Sequence, residues 1–179
     1  MDVAIDSQIL SFLLKRQPPG EHNPNQDVAE MFRRSRLLLR ELKSENTRIF
    51  IPTVVVAEVL IGVDQLRHGE FVAALEKHFI IVPLDIHATS LAAKLWIKNH
   101  DGPSEDAIER KYLKSDVLIV ATALVAGAKV FYSHDKKCRK LADRAGMIGR
   151  DLPETSRYLF DLTESEDLRL PIPSPLPSS

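Results

Sequence analysis

The chain reads as an α/β fold, a parallel sheet with helices on both faces. Three observations predict it. Short apolar strand-like runs (Val3–Ile5, Arg48–Ile51, Phe79–Pro83, Lys129–Tyr132) alternate with longer helical segments. Several of the runs end at a turn or an acid, as strands do when they feed a crossover. The segment Asp116 to Ala128 is apolar or small throughout, which describes a helix covered on several sides and therefore central.

At 179 residues the chain is long enough for one domain with a sizeable core. Hydrophobic residues at 44% and charged residues at 27% match ordinary globular composition. A formal net charge of -1 excludes capture of nucleic acid by bulk charge, so any such binding needs a local patch. One cysteine, Cys138, excludes an internal disulfide and a site built on several thiolates. No apolar run reaches membrane-spanning length, and an acid rather than a basic leader follows Met1. The expectation is a cytoplasmic protein with no membrane partner.

Val3-Ala4-Ile5 forms a strand that stops at Asp6, and Ile9 to Leu14 continue as helix. Lys15 to Gln26, with Pro18-Pro19-Gly20, reads as loop. Asp27 opens an amphipathic helix to about Ser44, apolar on one side, with Arg33, Arg36, Arg40 and Lys43 as a solvated stripe. Arg48 to Ile51 is a strand closed by Pro52. Thr53 then caps a helix to Leu66, although Val54-Val55-Val56 would suit a strand by local preference. Helix is preferred because Val54, Val55, Glu58, Ile61 and Gln65 share a face. Glu58 interrupts that stripe, and an acid there is costly to bury unless something positive meets it.

Glu70 to His78 is a helix, Phe79 to Pro83 a strand, and His87 to Asn99 a helix carrying Trp96 as a core residue. Asp101-Gly102-Pro103 breaks the chain, and a short helix runs from Ser104 towards Tyr112. Ser115 is positioned to cap the central helix, Asp116 in its first turn suits the positive end of the dipole, and Gly127 suits the exit. After the strand at Lys129–Tyr132, Ser133-His134-Asp135 forms an acidic turn, and Lys136 to Ala145 a basic helix. Tyr158 to Leu162 reads as a last edge strand. The domain therefore spans 1–162, and residues 163–179, acidic and then proline-rich, read as an extended or disordered tail.

Four carboxylates stand out: Asp6 and Asp135 just beyond strands, Asp116 at a helix start, and Glu58 on an apolar face. Side chains beyond the carboxyl ends of parallel strands line the ligand crevice of such sheets. Taken singly, each acid has a plain structural role as a cap or turn residue. Gathered together, they need protons or a hard cation, because two unit charges at about 4 Å repel by roughly 4 kcal/mol at an effective dielectric near 20. Oxygen-only ligands point to magnesium or manganese rather than zinc. A divalent ion among acids suits phosphodiester hydrolysis, and one ion or two would serve. Lys136, Lys137, Arg139 and Lys140 follow Asp135 directly and are candidates for phosphate contact.

The run Val3 to Ser7, the run Ile51 to Gly62, the run Asp116 to Ala123, and Ser133-His134-Asp135 together resemble the PIN-domain nucleases, with the VapC-type toxins of bacterial toxin–antitoxin pairs the nearest likeness. The similarity extends from about Val3 to Gly146. It implies a three-layer α/β/α sandwich, metal-dependent endoribonuclease activity on RNA, Mg2+ or Mn2+ as cofactor, a homodimer and an antitoxin partner. By the same resemblance Asp6, Glu58, Asp116 and Asp135 form the metal site, Ser133 orients an acid or a metal-bound water, and Ser7 matches a hydroxyl position after the first acid. Gln8 departs from the family pattern near the site. The segment 18–25 and the tail lengthen the chain beyond the compact toxins. Two other readings compete: a PIN-like binding module for RNA or protein that has lost the chemistry, and a small-molecule phosphohydrolase with an aspartyl nucleophile. The second lacks the further acid expected two places after Asp6.

Overall fold

In the computed structural model the described residues are 1–14, 26–100 and 113–154. Five strands, β1 (Asp2–Ile5), β2 (Arg48–Pro52), β3 (Ile80–Val82), β4 (Val130–Tyr132) and β5 (Ile148–Arg150), form one sheet in the order β3-β2-β1-β4-β5. Every pairing is parallel, with Val3 opposite both Ile49 and Val130. The helices among the described residues are α1 (Ser7–Leu13), α2 (Gln26–Ser44), α3 (Thr53–Leu60), α4 (His68–Glu76), α5 (Ile86–His100), α6 (Leu113–Val125) and α7 (Lys136–Ala145). From β1 the chain steps outward to β2 and β3, then crosses back to β4 and β5. Right-handed crossovers in opposite directions put the connecting helices on opposite faces. The result is the predicted α/β/α sandwich, with α1 packed on α2 and α3, and α6 packed between α5 and α7.

The middle strand β1 has neighbours on both edges and helices above and below. Val3, Ala4 and Ile5 are accordingly buried, in a continuous apolar run. In α6, Val117, Ile119, Val120, Ala121, Thr122 and Ala123 are all buried, as an apolar circumference requires. Thr122 returns its hydroxyl to the Leu118 carbonyl at 2.7 Å, so the one polar member costs little. Gly127 (φ 94) turns the chain out of α6 in the left-handed region, as its position predicted.

Several expectations need correction. Thr53 is not a side-chain cap. Pro52 holds the cap position, and the Thr53 hydroxyl instead accepts the Leu84 N–H at 3.1 Å, fastening the exit of β3 to the start of α3. That helix stops at Leu60, and Gln65–Arg67 form a separate 3-10 turn capped by Asp64. Ile61 consequently leaves the predicted apolar face and is 87% exposed, while Val55, Val56 and Val59 form the buried side. In the basic stripe of α2, Arg33 and Lys43 are exposed, but the Arg36 guanidinium lies over the Phe32 ring, 4.6 Å from its centroid. The fifth strand is Ile148–Arg150, which sequence reading passed over because Ile-Gly-Arg carries no strand pattern. The loop at 18–25, the short helix from Ser104, the edge strand at Tyr158–Leu162 and the tail from 163 lie outside the described residues.

Candidate metal centre

The sheet reverses its direction of growth between β1 and β4, and a parallel sheet offers its ligand crevice at such a switch point, beyond the carboxyl ends of the strands. Asp6 and the turn leading to Asp135 flank that point. Asp6 follows β1, and its backbone N–H donates to the Tyr132 carbonyl of β4 at 3.2 Å, which locks the two exits together. Its carboxylate caps α1, with Oδ1 accepting the Ile9 N–H at 2.9 Å. Asp135 caps α7 in the same manner, its Oδ1 accepting the Lys137 N–H at 2.7 Å. The helix-cap role and the site role of these acids are therefore compatible: one oxygen serves the helix.

Glu58 comes from α3, on the other side of β1, and Asp116 from the first turn of α6. Ser115 is not the cap of α6, because the helix already starts at Leu113. Its hydroxyl donates to Glu58 Oε1 and so ties α6 to α3. That is how the acid on the apolar stripe is accommodated: a hydroxyl, not a cation, meets it. Among the described residues the Asp116 side chain makes no hydrogen bond, and none of the four acids is in an ion pair.

Electrostatics binds the four into one group. Burial pushes the Asp116 carboxyl up to about 6, and Asp135, Glu58 and Asp6 each push it further in that direction. Asp6 is also raised, first by burial, and then by Asp135 and Glu58, against the lowering effect of the Ser133 hydroxyl and the Ile9 N–H. Cys138, buried on α7, has its thiol raised well above the ordinary range by burial and then by Asp116, Asp6 and Asp135. It is an inert floor to the site rather than a nucleophile. Ser133 is fully buried, and its Oγ accepts the Asp135 N–H at 3.0 Å, which ties this hydroxyl to the backbone of the last acid.

All four sequence-predicted acids and Ser133 thus share one end of the sheet. They do not form a closed cage: among the described residues no three of His, Cys, Asp and Glu are gathered closely enough to hold an ion as they stand. The donor set nevertheless fits a hard divalent ion, since it is all oxygen, uncompensated by any described cation, and electrostatically uncomfortable without one. Ser7 is part-buried and Gln8 exposed, so the departure at Gln8 leaves the capping of Asp6 intact.

Sequence reading missed the residues that support these groups. Ser115 was read as a helix cap and not as the partner of Glu58. Arg139, read as a phosphate contact, donates through Nη1 to the Ser133 carbonyl at 2.8 Å and the His134 carbonyl at 2.7 Å. Asp151, in a stretch with no pattern at all, lies 3.2 Å from that same nitrogen. Lys136, Lys137 and Lys140 remain exposed beside Asp135.

No curated protein matches the chain. Solved structures do. VapBC2 from Rickettsia felis, bound to a DNA fragment from their promoter, is similar with a TM-score of 0.56 and 15% identity over 86% of this chain and 100% of that one. VapBC-1 from nontypeable Haemophilus influenzae gives 0.55 and 17% over 84% and 98%. DNA-bound VapBC from Salmonella typhimurium gives 0.56 and 14% over 84% and 98%. At these identities the likeness establishes the fold. The sequence model of the PIN domain matches residues 28–144, a span that contains Glu58, Asp116 and Asp135, while Asp6 precedes it and joins them through β1. With nearly two-thirds of its length inside that match and the sandwich built as described, the chain belongs to the PIN domain family.

Proposed function

We propose that the protein is a metal-dependent endoribonuclease whose centre is Asp6, Glu58, Asp116 and Asp135, with Ser133 as their orienting hydroxyl. One observation carries this reading: burial raises the Asp116 carboxyl to about 6, and three further carboxylates, Asp135, Glu58 and Asp6, push it the same way with no described cation in an ion pair to offset them. Mg2+ or Mn2+ bound there would neutralise phosphate charge, lower the pKa of a water and steady the leaving oxygen. The residues of the chain do the rest. Asp6 and Asp135 are fixed by the helix N–H groups that they cap through Oδ1, so the second oxygen of each would meet a cation at little entropic cost. Glu58 is oriented by Ser115, and Asp116, the half-buried acid with no side-chain hydrogen bond among the described residues, has most to gain from a cation. Lys136, Lys137 and Lys140, exposed beside Asp135, supply the local positive charge that an RNA backbone needs from a chain of net charge -1.

The likeness to VapBC assemblies favours a toxin role with an antitoxin protein as partner, and the sequence resemblance adds a homodimer as the proposed working form. No described helix is long and apolar enough to cross a membrane, which accords with action in the cytoplasm. The test is cleavage of RNA by the full chain in Mg2+ or Mn2+. Activity should disappear in EDTA and in Asp116→Asn; cleavage that persists in EDTA refutes the metal mechanism. RNA binding without cleavage under any metal would establish the binding module instead.

A further inference from the structure

The turn Ser133–Asp135 carries two site groups, yet its backbone is held by side chains from outside the crevice. Arg139, one turn along α7, is part-buried and gives both N–H groups of Nη1 to the carbonyls of Ser133 and His134, at 2.8 and 2.7 Å. Asp151, just past β5, stands 3.2 Å from that nitrogen through Oδ2. The other oxygen of Asp151 lies 3.2 Å from His134 Nδ1, 3.4 Å from Arg34 Nη2 of α2, and accepts the Leu152 N–H at 2.7 Å. Arg34 also donates from Nε to the Pro153 carbonyl at 3.0 Å, which fastens the segment bearing Asp151 to α2. Gly149 lets β5 approach the backbone of Arg139: a Cβ there would stand 2.4 Å from the Arg139 carbonyl oxygen. Helix, turn and strand are therefore locked at one point.

We infer that Arg139, oriented by Asp151, is the positioning residue of the metal centre: it sets the Ser133–Asp135 turn and, through it, the carboxylates of Asp135 and Asp6. The chain of contacts is short. Arg139 fixes the Ser133 backbone, the Ser133 hydroxyl accepts the Asp135 N–H, and Asp135 caps the helix on which Arg139 stands, while the Asp6 N–H is held by the carbonyl of Tyr132, the residue that leads into the turn. A planar guanidinium suits this task, since two donors on one nitrogen meet two successive carbonyls while the carboxylate of Asp151 compensates its charge. Arg139 is thus spent on the site's architecture, and phosphate contact falls to Lys136, Lys137 and Lys140. Asp151 lies beyond the span that matches the family's sequence model.

The inference rests on the nuclease reading, and its test reads metal affinity rather than cleavage. Mn2+ binding to the full chain is titrated by electron paramagnetic resonance, alongside urea unfolding of each variant. Arg139→Ala should weaken Mn2+ binding by roughly 10–100-fold, the range typical when groups that orient metal ligands are removed. Arg139→Lys, which keeps the charge on a shorter stem, should recover part of it. Gly146→Ala strains the left-handed exit of α7 (φ 97) without touching these contacts, so it should lose stability and bind Mn2+ as the wild type does. Arg139→Ala binding within twofold of wild type overturns the inference, as does an equal loss in Gly146→Ala. Should Arg139→Ala not fold, Asp151→Asn decides: a several-fold weaker Mn2+ affinity supports the role, and an unchanged one overturns it. Failure of the wild type itself to bind Mn2+ would sink the metal reading beneath, and is distinguished because every variant would then be silent alike.

Discussion

Asp116→Asn should make the protein more stable and inactive at once. The Asp116 carboxyl rises from 3.8 to about 6 in the fold, through burial first and then through Asp135, Glu58 and Asp6. That rise corresponds to about 3 kcal/mol of added cost for the charged form before screening, and solvent at this half-buried position reduces it to about 1–2 kcal/mol. The sign follows from proton binding. Between pH 3.8 and about 6 the folded state holds the proton more tightly than the unfolded chain, so stability falls as pH rises through that window, and the penalty is complete above it. Asparagine carries no charge at any pH. Among the described residues the Asp116 side chain makes no hydrogen bond for the substitution to break.

In EDTA at pH 7.5, urea unfolding should show the variant about 1–2 kcal/mol more stable, with a melting temperature several degrees higher for a chain of this size. The gain should fade below pH 4, where both carboxyl states are protonated. Saturating Mg2+ or Mn2+ should close the gap by stabilising the wild type alone. A variant no more stable than wild type at pH 7.5, or a gain of equal size at pH 4, refutes the view of Asp116 as a strained, uncompensated acid.

Asp6→Asn keeps the capping acceptor for the Ile9 N–H, so it should fold at least as well as the wild type and lose RNA cleavage, whereas Asp6→Ala should unfold about 1 kcal/mol more easily than Asp6→Asn. Equal urea midpoints for the two variants would mean that the cap contributes nothing. Gly149→Ala places a Cβ 2.4 Å from the carbonyl oxygen and 2.9 Å from the carbonyl carbon of Arg139, both backbone atoms that cannot swing away. It should cost about 1–3 kcal/mol, and an undisturbed unfolding midpoint would show that β5 and α7 slide apart freely.

Local chemistry made much of this molecule legible in its sequence. The apolar run of α6 demanded a central helix, the strand-then-acid junctions at Asp6 and Asp135 marked crossover points, and the mismatch at Glu58 marked an acid in need of a partner. These signals lie within a few residues of one another, where periodicity and capping act. That Asp6 and Asp135 are both helix caps at the candidate site was not legible, because a cap and a ligand have the same sequence appearance and differ only in where the second oxygen points. Nor were the hydroxyl of Ser115 on Glu58, the departure of Ile61 from the buried face, or the fifth strand Ile148–Arg150.

Arg139 and Asp151 show the limit most plainly. They are twelve residues apart, separated by a helix end, a left-handed glycine and a strand without pattern, and nothing in either segment anticipates the other. Sequence determined which residues were charged, apolar or able to end a helix, since those properties belong to single side chains and their near neighbours. Only the parallel register of β1, β4 and β5 decided which charges would meet, because opposing carboxylates and the guanidinium behind them are brought together by strand pairing across the whole chain.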